Sequence, residues 1–393
     1  MRAHWIGFFI TIAIAMVTGC SNVGFQSVPK LTCDSVSSAQ DTSCVLVGKT
    51  LYYNLTFQTG QVDILFVDDN SGSMWDRQQH MAAAFPSFIS SLQTLFYQIA
   101  IITTDVSASA GNATPTAANG YGAFQDGKFL SFTDTSGNDS GLVVIDQNTS
   151  NAQNLFEGTI QRQETLDCAN AGYGIADCPG ADSRGIYAVN MAIDRNQNGF
   201  FRPGAPLEVI FLTDSDERNQ GGIDYNDGNV PQALENYDQP STLVSKLAAA
   251  FPSKQLTVHS VVVSDQNCLK ADHIIQSDGV VTFGYMGYQY MDLANPLTAL
   301  SALGNIRPGV VGSVCASNYQ SQMGSIAADV ASSAVNSPKQ LQCNPDPSKV
   351  QITTTPSNYQ SQISYTVNSS NQITFNNVPV GVTVNFAYEC SEY

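Results

Sequence analysis

Positive charge is what this sequence has least of. Its 393 residues carry 16 lysines and arginines against 33 aspartates and glutamates, a formal charge of −17. That balance disfavours nucleic acid or an anionic bilayer as an electrostatic partner and leaves cations and basic surfaces as the natural ones. Histidine is scarce too: after the first twenty residues only His80, His259 and His273 remain, and no C-x-x-C occurs, which argues against a structural zinc site. The chain has no G-x-S-x-G, H-E-x-x-H or G-x-x-x-x-G-K-[ST] motif, so the familiar hydrolase, metalloprotease and nucleotide-binding signatures are missing and we expect no enzyme. No apolar run reaches the roughly 18 residues that a membrane-spanning helix needs. What is present suffices for a folded body, since 43% of the residues are hydrophobic in a chain long enough for two or three domains.

The first residues read as an export address. Arg2 and His4 precede an apolar run from Trp5 to Val17 that ends in "VTGC". Small residues before a cysteine at this position resemble the bacterial lipobox. The resemblance implies a signal peptide over residues 1–19, cleavage before Cys20, a lipid on that thiol and, with Ser21 following, sorting to the outer membrane. The lipid would be the only membrane attachment, with the body facing the cell surface or the periplasm. Eight further cysteines, an even number, suit disulfides in an oxidising compartment. Pairing neighbours within local units gives Cys33 with Cys44, Cys168 with Cys178, Cys268 with Cys315 and Cys343 with Cys390.

Three stretches follow the signal. Residues 20–59 read as a polar spacer with a short strand at "LYYNLTF". Residues 60–336 alternate apolar runs with helical patterns: "VDILFV", "QIAIITT", "LEVIFLT" and "LTVHSVVVS" as strands, and "RQQHMAAAFPSFISSLQTLF", "RGIYAVNMAI", "STLVSKLAAAF" (Ser241 as N-cap) and "SNYQSQMGSIAADVASSAV" as helices. This order predicts a doubly wound α/β domain with a mostly parallel sheet. Residues 337–393 alternate polar and apolar side chains rich in β-branched and aromatic types, as a small all-β module would. "DRNQNGFF" opens like a calcium loop, but Ala205 stands where a bidentate Glu is required, so it is expected to be a helix exit. The stretch from Val106 to Gly141 should rise beside the strand ends, as a partner-selecting loop or a surface insertion with "GKFLSF" as a short strand.

Each of the four apolar runs ends in an aspartate: Asp69, Asp105, Asp214 and Asp265. Any one of them suits a turn or helix cap. Together they place carboxylates at the carboxyl edge of a parallel sheet, where such folds bind ligands. The segment "DILFVDDNSGSM" resembles the opening of a von Willebrand factor A domain with its D-x-S-x-S metal-ion-dependent adhesion site, here Asp69, Ser71 and Ser73. "IAIITTD", "GIYAVNMAI", "FFRPGAPLEVIFLTDSDERN" and "SVCASNYQSQMGSIA" are similar to segments found in the same order in bacterial lipoproteins carrying that domain.

The resemblance implies Asp214 as the third-loop ligand. The family's second loop often has a threonine, but "PGADSRGIYAV" has none; Asp182 is the first candidate there and Ser183 the second. Two hydroxyls and two carboxylates suit Mg²⁺, with Ca²⁺ or Mn²⁺ as alternatives, and leave a position for an acidic side chain of a protein partner. A third carboxylate at Asp182 would shift preference toward Ca²⁺. The expected function is cation-dependent protein binding or adhesion. The alternative is a periplasm-facing scaffold with a degenerate metal site.

Overall fold

The computed structural model describes residues 33, 42–47, 50–106, 125–171, 183–217, 234–271, 274–275, 281–282 and 285–390. In chain order the strands β1 (Thr42–Val47) and β2 (Thr50–Gln58) come first. They are followed by β3 (Gln61–Asp68), α1 (Trp75–Ser90), β4 (Phe96–Thr103), β5 (Ile145–Asp146), α2 (Ala152–Ile160), α3 (Gln163–Asn170) and α4 (Gly185–Arg195). Next come β6 (Leu207–Leu212), α5 (Pro240–Ala250), β7 (Leu256–Val262), α6 (Gln266–Ala271), a small hairpin of β8 (Ile274–Ile275) and β9 (Val281–Thr282), α7 (Tyr288–Ala294) and α8 (Thr298–Ser301). The chain closes with β10 (Ile306–Arg307), β11 (Val311–Ser313), α9 (Gln320–Asn336), β12 (Lys339–Gln340), β13 (Gln351–Thr355), β14 (Ser364–Val367), β15 (Gln372–Asn376) and β16 (Thr383–Glu389).

The central sheet runs β10-β7-β6-β3-β4-β5, with β11 also on β7. All its pairings are parallel except that of β5 with β4. Strands β6 and β7 are buried along their whole length, and β3 at every residue but its first, because helices cover both faces. On one face Phe66, Ile99 and Ile210 pack against Phe85 and Phe88 of α1, Phe156 of α2 and Met323 and Ile326 of α9. On the other, Val67, Ile102 and Phe211 pack against Ile186 and Val189 of α4, Leu243 and Leu247 of α5 and Tyr290 of α7. The doubly wound, mostly parallel class read from the sequence is the one observed. The chain enters in the middle of the sheet at β3, goes to β4 on one side and to β6 and β7 on the other, which puts the topological switch point at the end of β3.

Several local expectations change. The short strand expected in a spacer is nine residues long, and β2 lies between β1 and β16 in an antiparallel sheet of order β1-β2-β16-β13. Its burial alternates, as a one-sided strand requires. Leu55 and Phe57 face Ile373 and Phe375 of a second small sheet, β12-β15-β14, with the Phe57 and Phe375 rings 5.0 Å apart. The terminal segments therefore build one two-layered β unit from both ends of the chain. Gly60 carries β2 into β3 at φ +81°, with Val380 where a Cβ would stand, a turn that suits glycine. Helix α5 starts at Pro240 with Gln239 as N-cap, not Ser241, because proline's fixed φ and missing N–H fit the first helical position. "GKFLSF" forms no regular strand, although the Leu130 amide donates to the Ile101 carbonyl (2.9 Å) and Phe132 is buried. The calcium-loop look-alike is indeed the exit of α4.

Disulfides join Cys33 to Cys44, Cys268 to Cys315 and Cys343 to Cys390, as expected. Cys168 is disulfide-bonded as well; Cys178 lies outside the described residues, as do the signal segment, Cys20 and most of the loop after Val106. Among the described residues no helix is long and apolar enough to cross a membrane.

Candidate metal centre at the carboxyl edge of the sheet

Strand β3 ends at Asp68, and the chain then turns tightly through Asp69 to Ser73 before entering α1. The turn is pinned from every side. The Asp69 amide donates to the Leu212 carbonyl (2.9 Å) and the Thr104 amide to the Asp68 carbonyl (3.2 Å), extending the sheet ladder by one residue on each side. Thr165 Oγ1 holds the Asn70 carbonyl (2.8 Å) and Gln78 Nε2 the Asp69 carbonyl (3.2 Å). The Asp69 carboxylate is fully buried; its Oδ1 accepts from the Ser71 amide (2.9 Å) and its Oδ2 from Thr213 Oγ1 (2.7 Å). Ser71 and Ser73 bring their hydroxyl oxygens to 3.2 Å.

Asp214 follows β6 and is buried beside Asp69. Burial, and after it the charge of Asp214, push the Asp69 carboxyl from 3.8 to about 6. The hydrogen bonds from Thr213 and Ser71 pull it back, and Arg77 stands at the same turn, donating from Nη1 to the Ser73 carbonyl. Two buried carboxylates that repel each other, with two hydroxyls alongside, form a donor set for a hard cation. Buried oxygens nearby, Asp68 Oδ1, Asn70 Oδ1 and Thr104 Oγ1, have no hydrogen-bond partner among the described residues, which also fits an ion-binding edge. Asp68 itself is pushed well above the usual carboxylate range by burial, while Arg162 and Gln78 pull it back.

The second loop is held by the start of α4. Buried Glu217, two residues past Ser215, accepts from the amides of Ile186 (2.8 Å) and Tyr187 (3.0 Å) and from the Tyr290 hydroxyl (2.7 Å). Fully buried Arg184 grips Asp238 with Nε (2.8 Å) and a terminal nitrogen (2.9 Å). Ser183 is buried with φ 41°, and Asp182 lies outside the described residues.

Of the four strand-end aspartates, Asp69 and Asp214 are both buried, and the charge of Asp214 acts on Asp69. Asp105 stays at the same edge, where its Oδ2 accepts from Asn70 Nδ2 (3.2 Å). Asp265 does not join them: it is exposed and caps α6 through the amides of Asn267 (2.7 Å) and Cys268 (3.0 Å). Sequence reasoning missed Thr213, whose only signal was its place one residue before Asp214. Beside the turn opens a cleft of about 390 Å³ lined by Trp75, Thr135, Glu157, Arg162 and Glu164.

A second group with metal-ligand chemistry, Glu208, His259 and Asp329, was also missed. It lies on β6, β7 and α9 and already contains a cation. Arg307 spans both oxygens of Asp329 (2.9 and 2.8 Å) and stands 3.6 Å from Glu208. The Val310 amide donates to His259 Nδ1 (3.1 Å), so Nε2 is the nitrogen that donates to Glu208 (2.9 Å). We read it as an internal ion-pair network.

The sequence matches no protein-family model and no curated protein. Among solved structures it is similar to the pilus adhesin SpaC from Lactobacillus rhamnosus GG, at 12% identity and TM-score 0.31, over 88% of this chain and 42% of that one. A von Willebrand factor type A protein from Catenulispora acidiphila matches at 12% identity and TM-score 0.30, over 89% of this chain and 64% of that one. Manganese-loaded TRAP protein of Plasmodium vivax matches at 12% identity and TM-score 0.30, over 87% of this chain and 98% of that one. The chain thus spans less than two thirds of the first two proteins. At these scores the likeness is slight; the sheet order and its parallel pairings are themselves those of a doubly wound fold.

Proposed function

We propose that this is a non-enzymatic binding protein in which a divalent cation, held at Asp69, Ser71, Ser73 and Asp214, joins the chain to an acidic side chain of a protein partner. The observation that carries the reading is the burial of both Asp69 and Asp214 at one strand edge; burial first, and the charge of Asp214 after it, raise the Asp69 carboxyl to about 6. An ion of charge +2 would offset that repulsion. Hydroxyl ligands add no charge, so two carboxylates neutralise the ion without excess and an incoming carboxylate is still attracted. Mg²⁺ suits the donor set, with Mn²⁺ and Ca²⁺ as alternatives, and Asp182 is the acidic candidate from the second loop. The D-x-S-x-S resemblance to von Willebrand factor A domains supports the same reading. We further propose a lipid at Cys20 and an outer-membrane location, on the sequence of the signal segment alone.

Calorimetric titration of the full chain in detergent with Mg²⁺, Mn²⁺ and Ca²⁺, beside an Asp69→Ala, Ser71→Ala double variant, tests the cation. Saturable binding lost in the variant supports the reading. A folded wild type that binds none of the three ions rejects it and leaves a passive scaffold. Loss of membrane association in Cys20→Ser tests the anchor, and protease treatment of intact cells tells the two membrane faces apart.

A further inference from the structure

The second-loop segment "PGADSRGIYAV" contains no threonine, yet a threonine stands next to Asp69 from another strand. In the sheet register Asp68 pairs with Thr103 on β4 and with Leu212 on β6. The ladder continues one residue further, through the amides of Asp69 and Thr104, so Asp69 lies in a row between Thr104 and Thr213. Side chains along a strand alternate between faces. Val67, Ile102 and Phe211, each two residues earlier, all belong to the core beneath α4. Asp69, Thr104 and Thr213 therefore share that face, and the contact of Thr213 Oγ1 with Asp69 (2.7 Å) bears this out on one side of the row. On the other side Thr104 is fully buried and its Oγ1 has no hydrogen-bond partner among the described residues.

Its position is fixed from the second loop as well, since the Thr104 carbonyl accepts from the Arg184 amide (3.2 Å), directly after Ser183. Thr104 thus sits where β4, the Asp69 turn and the start of α4 meet. A buried hydroxyl without a partner is a standing cost to the fold, and it is tolerated most readily where a ligand will use it. We propose that Thr104 Oγ1 acts as a further oxygen donor to the divalent cation held at Asp69 and Asp214, from β4 rather than from the second loop. The inference rests on the cation reading above and extends it to a residue outside the D-x-S-x-S motif.

The test compares Thr104→Val, which keeps the shape and removes the hydroxyl, with Thr104→Ser, which keeps the hydroxyl. Mn²⁺ binding to the full chain is read from the free-ion electron paramagnetic resonance signal, and folding from thermal unfolding in EDTA. The expected result is an unchanged or higher unfolding temperature for Thr104→Val without ions, Mn²⁺ affinity about tenfold weaker, and near wild-type affinity for Thr104→Ser. Wild-type Mn²⁺ affinity in Thr104→Val, together with lost binding in Asp69→Ala, overturns the role of Thr104 while leaving the site standing. A drop in the ion-free unfolding temperature of Thr104→Val also overturns it, because it would reveal a structural partner for the hydroxyl. A wild type that binds no Mn²⁺ overturns both the inference and the reading beneath it.

Discussion

Buried aspartates stand near the amino end of β3, at Asp63, and just past its carboxyl end, at Asp69, and the two are treated in opposite ways. At the amino end Asp63 accepts from Arg202 Nε (2.7 Å), the Arg202 amide (2.8 Å) and Lys254 Nζ (2.8 Å). Two cations from the chain compensate it. Just past the carboxyl end, Asp69 feels the charge of another carboxylate, Asp214, and its bonds come from a hydroxyl and an amide. Burying a charge is costly unless it is paired. The chain closes its electrostatics at one end of the strand and leaves them open at the other, and an open buried charge pair is what a cation site requires before the ion arrives.

The largest effect is expected at the closed end. Asp63→Ala strands Lys254 in the interior and is expected to cost about 3–5 kcal/mol, seen as a large fall in denaturant midpoint that no divalent ion restores. At the open end the sign reverses. The rise of the Asp69 carboxyl from 3.8 to about 6 corresponds to roughly 3 kcal/mol of unfavourable charge above that range. Asp69→Asn should therefore raise ion-free stability by up to that amount while abolishing any stabilisation by Mg²⁺.

The same shift sets a pH dependence. A carboxyl whose folded value is raised favours the folded state while protonated, so its contribution is fully present below 3.8 and is lost as pH climbs to about 6. Thermal shift by saturating Mg²⁺ should accordingly grow between these limits and level off above them, and Asp69→Asn should remove that rise. The smallest effect belongs to Asp265. As a helix cap it should cost about 1 kcal/mol when changed to Ala, with cation affinity unchanged in titration.

How much of this was legible depends on where the partners lie in sequence. Strands β3, β4, β6 and β7 were readable because burial on both faces leaves long apolar runs. Strand β2 is more than a short strand in a spacer because one of its two pairing partners is β16, with Asn385 opposite Thr56, and no local period reveals so distant a neighbour. The strand ends of a parallel sheet pointed to four aspartates alike, and only the D-x-S-x-S resemblance set Asp69 and Asp214 apart from the others. Asp265 looked the same in sequence, and only the amides of Asn267 and Cys268 hanging on it show that it is a cap. Glu208 and His259 left a signal that went unused: a charged residue and a histidine inside fully buried strands must have partners. Thr104 left almost none, since an orphaned hydroxyl is a property of the packed structure.

The most direct test of the open end is a Mn²⁺ titration followed by electron paramagnetic resonance, wild type beside Asp214→Asn. A single saturable site is expected in the wild type and is lost in the variant. Mn²⁺ that stays free through the ~1 mM range, or binding that Asp214→Asn leaves untouched, would contradict it.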